Sequence, residues 1–178
     1  MRKYTGLIVV LALSGILLTG CATQLEKGTD LLAEEKYEQA AKVFEKATKK
    51  ESRQAEAYRG LGISYFELKK YENAREAFEK AIEFGAKETA QLDNMLGISC
   101  MKTEKYKEAA TYFEKGGKHS DASEELKKEM AFNEIYMLEK SGDNKKAKEK
   151  ADAYLKSWPD DEKVKKEAEF LETQAGND

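Results

Sequence analysis

Tyr58-Arg59-Gly60-Leu61-Gly62-Ile63-Ser64-Tyr65, followed beyond Lys69-Lys70 by Tyr71, Ala74, Phe78 and Ala81, is the stretch that decides the fold. Its apolar and small residues recur at helical spacing on either side of a short polar break, which predicts a helix, a turn and a second helix. The pattern then repeats. A shift of 34 residues toward the N-terminus meets Gly28, Ala40, Phe44 and Ala47, and a shift of 35 the other way meets Leu96, Gly97, Ala109 and Phe113. A tyrosine opens the second helix each time, as Tyr37, Tyr71 and Tyr106. A fourth unit has its turn at Gly142-Asp143, then Ala147, Tyr154 and Trp158-Pro159, but carries Ile135 at the glycine position and Ala151 at the phenylalanine position. Pro159 is the only proline of the 178 residues, so the chain reads as helical throughout.

Tyr58, Leu61, Gly62, Tyr65, Ala74, Phe78 and Ala81 resemble the tetratricopeptide repeat, a helix-turn-helix of 34 residues, with tyrosine in place of its tryptophan. The resemblance implies an all-α fold: a right-handed superhelix of about four helix-turn-helix repeats plus a C-terminal capping helix. The repeats are expected at about 21–54, 55–88, 90–123 and 128–161, and the cap at about 160–174. One repeat cannot bury its apolar face alone, so neighbours must stack and the last must be covered. Val164, Ala168 and Leu171 would form the inward stripe of the cap, with Asp160 or Asp161 as its N-cap. Gly116-Gly117-Lys118-His119-Ser120-Asp121 adds length between the third and fourth units, and is expected to end a helix as a kink or mobile turn that nothing apolar pins.

The N-terminus carries a separate signal. Arg2 and Lys3 precede an apolar run from Leu7 to Leu18, too short for a comfortable span of about 20 apolar residues. Leu18-Thr19-Gly20-Cys21 resembles the lipobox of bacterial lipoproteins, which implies cleavage of residues 1–20 as a signal peptide and lipidation of Cys21. Residues 21–178 would then form a repeat domain tethered by acyl chains, each buried methylene contributing about 0.8 kcal/mol. Ala22 stands where an aspartate commonly retains lipoproteins at the inner membrane, so the expected location is extracytoplasmic, at the outer membrane or the outer face of the cell membrane.

Charged residues make up 37% of the chain, Lys and Glu interleaved, and the formal net charge is −3. Such mixing describes solvated helix faces and argues against a nucleic-acid partner. Catalysis lacks a constellation: His119 is the only histidine and reads as an ordinary surface residue, while Cys100 reads as structural filler. No zinc spacing, phosphate loop or calcium loop occurs, so no metal or cofactor is expected and the chain reads as non-enzymatic.

The resemblance also implies a concave groove lined by the first helix of each repeat. Mapped onto this sequence, it gives Arg59, Ile63, Phe66, Asn94, Ile98, Met101, Phe132 and Tyr136 as peptide-binding residues; the alternative is that Phe66, Met101 and Phe132 pack against neighbouring helices and only Ile63, Ile98 and Tyr136 are open, since helical spacing serves both. A Lys-Asn-Arg clamp for C-terminal carboxylates does not carry over, because Leu25 and Thr29 stand where it would need Lys and Asn. The leading expectation is therefore a membrane-anchored interaction module or assembly scaffold that binds other envelope proteins or peptides. The alternatives are a carrier for a small apolar ligand and an obligate structural subunit of an envelope complex.

Overall fold

The computed structural model describes residues 24–49 and 52–175. Residues 1–20, read from the sequence as a signal peptide, and Cys21 lie outside the described residues. Every regular element among those described is a helix: α1 (24–33), α2 (Tyr37–Ala47), α3 (Gln54–Glu67), α4 (Tyr71–Glu83), α5 (Ala90–Lys102), α6 (Tyr106–Gly117), α7 (Glu124–Lys140), α8 (Asn144–Ser157) and α9 (Glu162–Ala175). They pair in chain order as four helix-turn-helix repeats and a final helix. The chain divides between Ala86 and Lys87 into two compact units.

In the first unit α3 packs on both α2 and α4. The aromatic ring of each second helix lies against the glycine of its own first helix. A Cβ added to Gly28 would sit 2.6 Å from Cζ of Phe44, and one added to Gly62 would sit 2.4 Å from Cδ1 of Phe78. Phe44 is wedged from the next repeat as well, since a Cβ on Gly60 would also come within 2.4 Å of its ring. The spacing noticed in the sequence is thus a steric requirement for bare backbone under each ring. Tyr65 completes the unit by donating its hydroxyl hydrogen to Glu45 of α2 at 2.6 Å.

The second unit stacks α5 to α9, each helix packing on the next. Its third repeat keeps the same wedge, with Phe113 against Gly97 at 2.7 Å from an added Cβ. In the fourth repeat the large residue has changed sides: Ile135 on α7 and Ala151 on α8 are both buried in one core cluster. The α7–α8 pair forms nonetheless. On α9, Val164, Ala168 and Leu171 are buried, and the Asp161 carboxylate accepts from the backbone N–H of Val164 at the start of the helix.

One turn serves all four repeats. In each, two backbone N–H groups reach back to the first helix: Lys36 to Leu31 at 2.8 Å, Lys70 to Tyr65 at 2.9 Å, Lys105 to Cys100 at 2.9 Å and Asp143 to Leu138 at 3.0 Å, each with the preceding N–H bonding the carbonyl three residues before it. This double closure needs a left-handed residue just past the helix. Glu35, Lys69 and Glu104 adopt it at φ 57°, 58° and 62°, whereas the fourth turn uses Gly142 at φ 82°.

Helix α6 does end at the Gly116-Gly117 pair, its last residue being Gly117, but the expectation that nothing apolar pins the pair is corrected: Gly116 is buried where a Cβ would meet Sδ of Met130 at 2.6 Å and Cβ of Asp93 at 3.2 Å. Gly116 is small because α5 and α7 both crowd α6 there. Ser123 then caps α7, its hydroxyl accepting from the N–H of Leu126.

Candidate interaction clefts

Each unit has a cleft beside its first helices. In the first unit it measures about 550 Å³ and lies between α1 and α3, over Phe44 and Gly60. Arg59 and Ile63, four residues apart on α3, both line it, because that spacing puts side chains on one helix face. Leu25, Thr29 and Leu32 form the opposite wall. Thr29 does not present a free hydroxyl hydrogen, which goes to the Leu25 carbonyl at 2.9 Å. Phe66 lies outside this cleft and packs edge-on against Tyr71, ring centroids 5.7 Å apart.

In the second unit Phe132 and Tyr136 line a cleft of about 280 Å³ with Ile135 and, from the capping helix, Lys163 and Glu167. Lys163 Nζ stands 4.2 Å from the centre of the Phe132 ring, a cation–π contact, and Lys140 Nζ stands 5.2 Å from that of Tyr136. Lys163 and Glu167 were not read from the sequence as site residues. Their four-residue spacing beside the Val164–Ala168 stripe is the available signal, but in the sequence that stripe accounts for α9 as a cap alone. Burial raises the Glu167 carboxyl above its ordinary range, and the neighbouring carboxylate of Glu139 raises it further.

The remaining groove residues are less open than expected. Asn94 is buried, which corrects its placement on an exposed groove, and its Oδ1 has no hydrogen-bond partner among the described residues. Ile98 and Met101 are half-buried and pack against the core cluster of the second unit. Cys100 is wholly buried, as a filler residue should be.

His119 is also corrected. Its Nε2 lies 2.9 Å from Oδ2 of Asp93, a side chain with no exposure at all on α5. Lys115 approaches the other Asp93 oxygen at 3.7 Å and pairs with Glu88, while Asp121 accepts from the N–H of Ala90 at 3.2 Å. The segment after α6 is therefore bound to the start of α5 by polar contacts. Burial raises the Asp93 carboxyl and the His119 contact opposes that rise. A second polar knot joins α6, α7 and α8: Lys150 reaches Glu134 at 2.7 Å and Glu114 at 2.9 Å. Glu114, also held by Lys118, is pulled down to about 2, while burial raises Glu134. These are carboxylates partnered by cations and helix ends. Among the described residues no group of three or more His, Cys, Asp or Glu side chains could hold a metal ion.

Residues 25–89 match the tetratricopeptide repeat family. A comparison with curated proteins found no match. Among solved structures, YrrB, described as a TPR protein with an unusual peptide-binding site, aligns over 86% of this chain and 77% of its own at 25% identity and a TM-score of 0.71. The fold is that of a tetratricopeptide repeat array. MamA AMB-1 shares it at 18% identity and a TM-score of 0.70, covering 89% of this chain and 84% of the other. So does MamA, residues 41 to the end, from Desulfovibrio magneticus RS-1, at 15% identity and a TM-score of 0.67, covering 88% and 85%. Repeats of this kind are typically non-enzymatic interaction modules, and the fold implies protein or peptide partners.

Proposed function

We propose that the protein is a non-enzymatic scaffold of the bacterial cell envelope, tethered through lipid on Cys21, whose clefts hold segments of other envelope proteins. The observation that carries the binding half is that each unit leaves a cleft beside its first helices. Arg59 with Ile63 lines one, and Phe132 with Tyr136 lines the other. Both combine apolar walls with charged rims, the make-up of a surface that takes peptide side chains. The peptide-binding site named for YrrB supports the same reading. The tether rests on the sequence: a cationic start, a short apolar run and Leu18-Thr19-Gly20-Cys21. No helix among the described residues is long and apolar enough to cross a membrane.

Fractionation and crosslinking of cells carrying Cys21→Ser or, on intact Cys21, the Ile63→Asp, Tyr136→Asp double variant test both halves. The serine variant is expected to leave the membrane pellet after a salt wash. The double variant is expected to stay membrane-bound but to lose its crosslinked partners. Retention of the serine variant would overturn the lipid tether, and an unchanged partner list would overturn the clefts.

A further inference from the structure

The cleft of the first unit has a polarity that narrows what it can hold. Its α1 wall carries Glu26 and Asp30, four residues apart and so on one helix face. Its α3 wall carries Arg59 one turn from Ile63. Arg53 and Glu56, on the same rim, satisfy each other, with Nε donating to Oε1 at 3.0 Å. The side chains of Glu26, Asp30 and Arg59, by contrast, have no hydrogen bond or ion pair among the described residues. Between the charges lie Leu25, Leu32, Phe44 and Ile63. In water, unpaired rim charges are well solvated. Covering them without opposite charges would carry a desolvation penalty, so an occupant that seats on the apolar floor must supply a cation toward α1 and an anion toward α3.

We infer that this cleft takes a peptide segment with one apolar side chain set between a lysine or arginine, which meets Glu26 and Asp30, and an aspartate or glutamate, which meets Arg59. The inference rests on the proposed reading of the cleft as a protein-binding site and adds the chemistry of the partner. A volume of about 550 Å³ suits one or two side chains and not a folded domain.

The test is fluorescence anisotropy of the full-length protein with three end-capped peptides that share a central leucine. One flanks it with Lys and Glu, one with Glu on both sides and one with Lys on both sides, the intervening positions being Ala, Ser and Gln. The mixed peptide is expected to bind about tenfold more tightly than either of the others. Arg59→Glu should shift the preference to the Lys-Lys peptide and Asp30→Lys to the Glu-Glu peptide. Glu76→Lys, exposed on α4 and away from the cleft, should change nothing. Melting temperatures near that of the unmodified protein confirm that the variants fold. Equal binding of all three peptides that Ile63→Asp abolishes would overturn the charge assignment while leaving the cleft as a protein-binding site. Binding of none, or preferences that do not follow the reversals, would overturn it too. Loss of crosslinked partners in the Ile63→Asp, Tyr136→Asp variant reports on the broader reading independently.

Discussion

The ring of Phe78 occupies the space a side chain on Gly62 would need: an added Cβ would lie 2.4 Å from Cδ1. Phe78 is itself wholly buried, so the ring has little room to yield. Gly62→Leu is expected to lower stability by about 1–3 kcal/mol or more through overpacking, and Lys102→Ala, on an exposed position of α5, by about 0.5 kcal/mol or less. Thermal melts compare the two. Equal melting temperatures would show that the ring is not wedged on the glycine.

In the fourth repeat the bulky residue stands on the first helix and the small one on the second: Ile135 on α7 and Ala151 on α8 are buried in one core cluster. Ile135→Gly should cost about 3–5 kcal/mol, for the cavity and for the backbone entropy of a mid-helix glycine. Ala151→Phe alone should also destabilise, by crowding Ile135. Together they recreate the glycine and phenylalanine found sixteen residues apart in the first three repeats, and the double variant should recover about 1 kcal/mol or more of the summed loss. Urea unfolding of the four proteins measures this. Simple additivity would mean that the two sites do not share one space.

Stability should fall in acid through Glu114 and Asp161. Glu114, ordinarily near 4.5, is held down to about 2 by Lys150 and Lys118, and Asp161, ordinarily near 3.8, is held down to about 2 by the Tyr154 hydroxyl and Lys128. A carboxyl depressed by folding contributes stability above its unfolded value and loses it as pH falls through the folded one. The loss should therefore occur between about pH 4.5 and 2. Glu134, raised by burial, has the opposite sign and blunts the slope. Denaturant titrations from pH 7 to 2 should show a shallower decline for Glu114→Gln than for the unmodified protein. Parallel declines would contradict the assignment.

His119→Ala should cost about 1–3 kcal/mol, because it strips the fully buried Asp93 carboxylate of its partner at 2.9 Å. Ser120→Ala, exposed in the same segment, should cost about 0.5 kcal/mol or less. Chemical denaturation distinguishes them. Matching midpoints would return His119 to the ordinary surface residue suggested by the sequence.

The repeats were legible because their signal is steric and periodic: Gly28, Gly62 and Gly97 lie where Phe44, Phe78 and Phe113 need bare backbone. The turn glycines were a poorer guide. Glu35, Lys69 and Glu104 take the left-handed conformation without announcing it, and Gly116 marks a crowded crossing with Met130 where the sequence suggests an unpinned turn. Asp93 and His119 escaped notice because their partnership spans two helices and a loop, with no spacing rule to connect them. The clefts were only partly visible. Helical periodicity put Arg59 and Ile63, or Phe132 and Tyr136, on shared faces, but could not show that Asn94 is buried or that α9 contributes Lys163 and Glu167.

On the proposed function, partners enter the clefts beside the first helices. Photo-crosslinking in living cells tests it most directly, with a photoreactive amino acid placed singly at Ile63, at Tyr136 and, as a control, at Lys107 on the exposed face of α6. Discrete adducts with the same envelope protein or proteins from positions 63 and 136, and none from 107, are the expected result. Adducts from position 107 with none from the clefts would contradict it.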